Sequence, residues 1–200
     1  MFTGIIEATG FIESIEHKGG DARFVFNTGK LALDDVALGD SIACNGVCLT
    51  VIEKFEQGFA ADVSVETIDV TCMKFYLPKQ AVNFEKAMLP TTRFGGHMVS
   101  GHVDAIGEIV SIEEAARSIQ YKIKAPQEVL KYIAIKGSIT VDGTSLTVND
   151  LEKDQFSLNL VPHTLQETIA DSYEVGTQVN LEIDLIARYL ERLMHADKAE

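Results

Sequence analysis

The chain contains one phrase twice. Residues 41 to 51 read Ser-Ile-Ala-Cys-Asn-Gly-Val-Cys-Leu-Thr-Val, and residues 138 to 148 read Ser-Ile-Thr-Val-Asp-Gly-Thr-Ser-Leu-Thr-Val. Each copy sets a turn signal, Asn45-Gly46 or Asp142-Gly143, between short apolar runs. A type I′ turn needs positive φ at both central residues, and Asn-Gly and Asp-Gly supply it, so each copy predicts a tight β-hairpin. Side chains in the strand after the turn alternate faces. Leu49 and Val51, like Leu146 and Val148, fall on a face suited to a core. Cys48 and Thr50, like Ser145 and Thr147, fall on the other. One such polar pair reads as a solvated sheet face; two in register argue for matched binding surfaces.

The echo extends well beyond the hairpins. Gly4 to Glu16 aligns with Gly101 to Glu113, Phe59 with Phe156, Thr67 with Thr164, and Thr71 with Thr168. Val82 to Glu85 aligns with Val179 to Glu182. The offset stays at about 97 residues, too long for a solenoid and the right size for a duplicated domain. Constant register means few insertions, so the halves share one fold. Within a half the pattern is mostly strand: Ile5 to Ile15, Arg23 to Asn27, the hairpin, and Phe59 to Val65 (Phe156 to Val161 in the second copy). Short strands separated by turns predict an antiparallel barrel or sandwich. Short helices are expected at Thr67 to Phe75 and after Pro126, with a matching helical turn at Leu33 to Ala37. Residues 1–89 and 98–184 are read as the two units, joined by a linker at 90–97.

Residues 185–200 have no counterpart in the first half and form a C-terminal helix and tail. From Asp184 to His195, an apolar stripe of Ile186, Tyr189, Leu190, Leu193 and Met194 recurs at helical spacing. Such a face must be buried, on its own chain or in other subunits. Asp184 and Glu182 are placed to cap the helix N-terminus.

Charge excludes some partners. Thirty acidic against 17 basic residues give a net charge of −13. That disfavours nucleic acid and anionic membrane surfaces, which select basic footprints. Met1 to Gly10 carries no secretion signal, and no run approaches the length of a membrane span. Three cysteines, Cys44, Cys48 and Cys72, fit reduced thiols in a cytoplasmic protein. His97 and His102 are wrongly spaced for one helical face and the cysteines are unpaired, so no metal is expected.

Several long motifs resemble one known family. They are Met-Phe-Thr-Gly-Ile-Ile-Glu at the start, Asn-Gly-Val-Cys-Leu-Thr, and Gly-Gly-His-Met-Val-Ser-Gly-His-Val-Asp from Gly95. Lys-Gly-Ser-Ile from Lys136, Asp-Gly-Thr-Ser-Leu-Thr-Val and Pro-His-Thr-Leu complete the set. Together they are similar to the riboflavin synthase family, alpha-chain type. The resemblance implies an all-β fold of two tandem six-stranded Greek-key barrels plus a C-terminal α-helix. It implies a transfer of four carbons between two molecules of 6,7-dimethyl-8-ribityllumazine, giving riboflavin and 5-amino-6-ribitylaminouracil, without a cofactor. It further implies a homotrimer held partly by the C-terminal helix, with association with lumazine synthase as a further partner. The active site would lie between the first barrel of one subunit and the second barrel of its neighbour.

Matched to those motifs, the first pocket would use Gly4, Ile5, Ile6, Cys48, Leu49 and Thr50, with Asp62, Val63, Ser64, Val65, Glu66 and Thr67. The second would use Gly101, His102, Val103, Ser145, Leu146 and Thr147, with Asn159, Leu160, Val161, Pro162, His163 and Thr164. Lys136 is expected to reach a ligand on the adjacent subunit. His102 and Thr147 are the candidates for proton transfer at the methyl group on ring carbon seven, since imidazole titrates near neutral pH. Ser145, Cys48 and Ser41 are the candidates for positioning or activating the group that adds to the partner ring. The plainer readings are a turn histidine for His102, a small buried hydrophobe for Cys48, and a simple turn residue for Asp142. Two other functions fit the same barrels: a lumazine or flavin binder without turnover, and a purely structural module.

Overall fold

A computed structural model describes residues 1–196. Both hairpins form where the turn dipeptides place them. Asn45 and Gly46 take φ of 45° and 78°, Asp142 and Gly143 take 44° and 81°, as type I′ turns require. The first repeat contributes β1 (Ala8–Lys18), β2 (Asp21–Asn27), β3 (Ser41–Cys44), β4 (Val47–Thr50), β5 (Glu53–Phe55), β6 (Gly58–Val63) and β7 (Ala81–Lys86). The second contributes β8 (Ala105–Ala115), β9 (Ser118–Lys124), β10 (Ser138–Val141), β11 (Thr144–Glu152), β12 (Gln155–Leu160) and β13 (Gln178–Ile183).

The second sheet is a closed six-stranded barrel in the order β10-β11-β12-β9-β8-β13. The first runs β4-β3-β7-β1-β2-β6-β5. Its end strands are sequence neighbours, separated only by Val51 and Ile52. Together β4 and β5 do the work of the continuous β11, whose ladder is itself interrupted between Val148 and Asp150. The Ile52 amide still donates to the Ala60 carbonyl at 3.0 Å across this break. The first barrel is filled by Phe24, Phe26, Phe59 and Phe84, with ring centroids 5.2 to 6.2 Å apart. The second relies on Ile109, Ile123, Leu158 and Phe156. Fully burying one such side chain contributes about 1.5–3 kcal/mol.

Three boundaries differ from expectation. The strand expected from Ile5 begins only at Ala8, because residues 2 to 4 leave the first barrel to pair elsewhere. The strand expected to reach Val65 stops at Val63, because the Ser64 hydroxyl caps α1 (Val65–Val70) by accepting from the Thr67 amide. The helix expected over Thr67 to Phe75 is thus split into α1 and a 3₁₀ turn, Cys72–Phe75, with Thr71 as the second cap. Leu33 to Ala37 is a non-helical turn that buries Leu33 and Val36. After Pro126 comes the short α2 (Gln127–Leu130) as expected, and Pro162 opens α3 (Pro162–Glu167).

The C-terminal helix α4 (Leu185–Ala196) is present, and its tail lies outside the described residues. Asp184 caps it: its carboxylate accepts the Ile186 amide at 2.9 Å. Arg188 pairs with Asp104 at 2.6 Å, and Lys131 and Tyr132 bond Glu191. These contacts dock one edge of α4 on the second barrel. The apolar stripe stays out: Ile186, Tyr189, Leu190, Leu193 and Met194 are all exposed. Among the described residues no helix is long and apolar enough to cross a membrane.

Candidate functional site

The start of each repeat crosses to the other barrel. Phe2 and Val99 form a two-way antiparallel bridge, at 2.8 and 3.1 Å. Just beyond it, the Gly4 carbonyl accepts from the Ser145 amide at 2.7 Å, and the Gly101 carbonyl accepts from the Cys48 amide at 2.9 Å. The glycines are needed here. A Cβ on Gly4 would lie 2.6 Å from the Ser145 Cβ, and one on Gly101 the same distance from the Cys48 Cβ.

This crossing corrects the grouping expected from the repeats. Gly4 and Ile5 belong with the Ser145, Leu146, Thr147 hairpin; Gly101 and His102 belong with Cys48, Leu49, Thr50. The reason is long-range strand exchange, which local sequence pattern does not encode. His102, next to the Gly101 carbonyl that bonds the Cys48 hairpin, and Thr147, on the Ser145 hairpin, therefore stand at different crossings within one chain. His102 is exposed, and its backbone amide donates to the Ser100 hydroxyl.

Two buried carboxylates hold the crossing segments. Glu85 accepts from the Thr3 amide and hydroxyl, both at 2.7 Å, and from the Gly4 amide at 2.9 Å. Glu182 does the same for the Ser100 amide and hydroxyl and the Gly101 amide, at 2.7, 2.7 and 3.0 Å. Burial pushes both carboxyl groups above the usual range, and the donated hydrogen bonds oppose that shift. Glu182 is thus a clamp for its own repeat's first turn; only Asp184 fulfils the expected capping role.

Ser41 pairs across the hairpin with Thr50. It lines a cleft of about 600 Å³ with Thr3, Ile5, Glu85, Lys86 and Arg93. Leu49 is core, while Cys48 and Ser145 are half-buried under the crossing segments and Thr50 and Thr147 are exposed. Asp62, Ser64, Val65 and Glu66, with Asn159, Val161, Pro162 and His163 opposite, form exposed strand ends; Val63 and Leu160 point into the cores. Thr67 and Thr164 are half-buried, and each carbonyl accepts a hydroxyl four residues on, from Thr71 and Thr168. Lys136 is exposed with φ of 66°, where the first repeat has Gly39 at 93°. A lysine held in the left-handed region costs about 1 kcal/mol.

One residue singled out only for a metal stands in the site. His97 Nδ1 lies 2.7 Å from the Ser145 Oγ. The signal for it was the Gly95-Gly96 pair, which lets the backbone pass close to Thr3.

Between the hairpin tips lies a buried polar network with approximate two-fold symmetry. Asn180 Oδ1 accepts the Cys72 amide at 2.7 Å, and Asn83 Oδ1 accepts the Ile169 amide at 2.8 Å. Asn83 and Asn180 also donate to the carbonyls of Asp142 and Asn45. The symmetry breaks at Asp142, so this residue is more than a turn former. Its counterpart Asn45 accepts from the Asn83 amide and donates to Tyr76. Asp142 accepts both from the Asn180 amide and from the Tyr173 hydroxyl.

Burial pushes the Asp142 carboxyl up to about 7, against the hydrogen bonds it accepts. The folded value then exceeds the unfolded one. The stabilisation is complete below the unfolded pKa and is lost as pH rises through about 7. Unfolding free energy in urea is expected to fall by about 2–3 kcal/mol between about pH 5 and 8. Asp142→Asn, which copies Asn45, should flatten that slope. A slope unchanged in the variant would place the titrating group elsewhere.

The comparisons match this architecture. The lumazine binding domain model matches twice, over residues 3–87 and 100–184. The chain is 52% identical over 200 residues to riboflavin synthase of Photobacterium phosphoreum, covering all of this chain and 92% of that one. It is 45% identical over 195 residues to riboflavin synthase of Bacillus subtilis (strain 168), covering 98% and 90%. In fold it is similar to LumP complexed with 6,7-dimethyl-8-(1'-D-ribityl) lumazine, with TM-score 0.83, 23% identity, and 92% and 99% coverage. LumP complexed with riboflavin gives TM-score 0.85 at the same identity and coverage. Two barrels with mirrored hairpin clamps are thus a tandem pair of lumazine-binding domains. Within that class, the chain belongs to the riboflavin synthase family.

Proposed function

We propose that the family's reaction, the dismutation of two 6,7-dimethyl-8-ribityllumazine molecules to riboflavin and 5-amino-6-ribitylaminouracil, runs here between two unlike pockets. One is built on Ser145, Thr147, Gly4, Ile5 and the strand end at Asn159 to Thr164. The other is built on Cys48, Thr50, Gly101, His102 and the strand end at Asp62 to Thr67. The observation that carries this reading is the reciprocal clamp, which presents one backbone-lined hairpin edge per repeat. Bound in register, the two ring systems react as an oriented pair, and such positioning can supply roughly 7–11 kcal/mol of the barrier. The exposed stripe on α4 supports a homotrimer in which the pockets of neighbouring subunits face each other, with Lys136 reaching across. The same reading places the protein in the cytoplasm, and it extends to association with lumazine synthase.

The test is direct. Purified protein mixed with the lumazine should generate riboflavin fluorescence that grows with time, with two lumazines consumed per riboflavin. A bound but unchanging lumazine spectrum would instead favour the non-catalytic binder.

A further inference from the structure

We propose that Asp104 and Arg188 form a positioning pair that sets His102 in the first repeat's pocket, tying the start of α4 to that site. This rests on the dismutation reading above, which places His102 beside the Cys48 hairpin.

The crossing segment is an arch with two feet on β13. At the near foot Glu182 holds Ser100 and Gly101. At the far foot Asp104 returns to the second barrel. Its amide donates to the Leu181 carbonyl at 2.8 Å, and its Oδ2 accepts the Ile183 amide at 2.9 Å. Only His102 and Val103 lie between the feet. Val103 packs against the first barrel's core. The exposed His102 ring makes no hydrogen bond among the described residues, so the backbone on either side sets its place. A shift of either foot swings the imidazole.

Arg188 holds the far foot. It lies in the first turn of α4 and donates to Asp104 Oδ1 at 2.6 Å. The Asp104 side chain is only 15% exposed. Burial raises its carboxyl above the usual range, and the Ile183 amide, Arg188 and the nearby His102 oppose that shift. Breaking a shielded pair from one side leaves a charge short of its partner, which costs more than losing a surface pair. The guanidinium Nε is buried without a partner among the described residues, so the bond to Asp104 is what fixes this side chain.

The first repeat shows that the pair is an addition. Glu7, the counterpart of Asp104, accepts the Lys86 amide at 2.8 Å, just as Asp104 accepts that of Ile183. The backbone foot is common to both repeats. The counterpart of Arg188 is Thr91, and among the described residues no cation pairs with Glu7. The residue carried by that first arch is Ile5, where the second carries His102. The extra anchor thus accompanies the imidazole and is missing beneath the aliphatic side chain.

Arg188→Ala in the full-length protein tests this. Lumazine affinity should stay within about threefold of wild type while kcat falls about 10- to 100-fold, the scale of a misplaced group. Arg188→Lys keeps a cation in reach of Asp104 and should recover kcat to within about threefold. In a His102→Gln background, Arg188→Ala should cost little further, because its effect runs through the missing imidazole. Sedimentation should match wild type, since the α4 stripe is untouched. The proposal is overturned by a kcat within about threefold of wild type, by a full additional loss in the His102→Gln background, or by a loss of rate that follows loss of assembly. If Arg188→Ala does not fold, Asp104→Asn carries the test, because its Oδ1 still accepts the Ile183 amide while the charge pair is gone. The same pattern there supports the proposal, and a retained kcat overturns it. The NMR signal of the His102 ring should also move in Arg188→Ala, and an unmoved signal overturns the pair. That readout needs no turnover: a wild-type protein that makes no riboflavin overturns the dismutation reading, while the His102 signal still decides the pair.

Discussion

Glu182→Ala is expected to cost the fold about 3–5 kcal/mol, since it strands three buried donors at once. The Ser100 amide and hydroxyl and the Gly101 amide all end on this one carboxylate. Among the described residues nothing else accepts them. Freed, the Ser100–Gly101 corner no longer presents its carbonyl to the Cys48 amide. Lumazine affinity should therefore drop at the first repeat's hairpin before the second. Glu85→Ala should give the mirror result, loosening Thr3 and Gly4 and weakening the Ser145 hairpin. Urea denaturation and a lumazine titration of each variant provide the check. If either variant unfolds at the wild-type urea concentration, the carboxylates are bystanders.

Gly143→Ala and Gly46→Ala should each destabilise the protein by about 2–4 kcal/mol, combining left-handed backbone strain with overpacking. The two turn tips touch backbone to backbone. A Cβ on Gly143 would lie 2.7 Å from the Gly46 nitrogen, and one on Gly46 would lie 2.8 Å from the Gly143 nitrogen. Neither clash can be relieved by rotating a side chain. Both variants push on one shared contact, so the double variant should lose less than the sum of the singles. Strict additivity in urea denaturation would mean that the tips do not bear on each other.

The sequence made some features plain and hid others for physical reasons. Hairpin turns are set by two adjacent residues, so Asn45-Gly46 and Asp142-Gly143 could be read directly. The shared fold followed from a register that never slips between Gly4 and Glu182. The core faces of Leu49, Val51 and Val148 followed from strand alternation. Hidden were the pairings that leap across the chain. Nothing near Gly4 says that its carbonyl meets Ser145 rather than Cys48, because both hairpins present the same pattern. Glu182 sits where a helix cap would sit, and only the fold shows that its oxygens turn back to Ser100 and Gly101. His97 looked like half of a failed metal pair because its partner, Ser145, lies far along the chain. Ser64 hid for a smaller reason: a hydroxyl at the end of an apolar strand also fits continued strand, and only the bond from the Thr67 amide settles it.

The reciprocal strapping at Gly4 and Gly101 has a cost on the ribosome. Residues at the leading end can find their carboxylate as soon as β7 emerges, but the Gly4 carbonyl gains its partner amide only after Ser145 has left the exit tunnel. Through that interval the leading half waits with an unlatched edge, where another nascent copy could take the same seat. Contacts this distant in sequence slow folding. Slower translation through the second half is therefore expected to lengthen that interval.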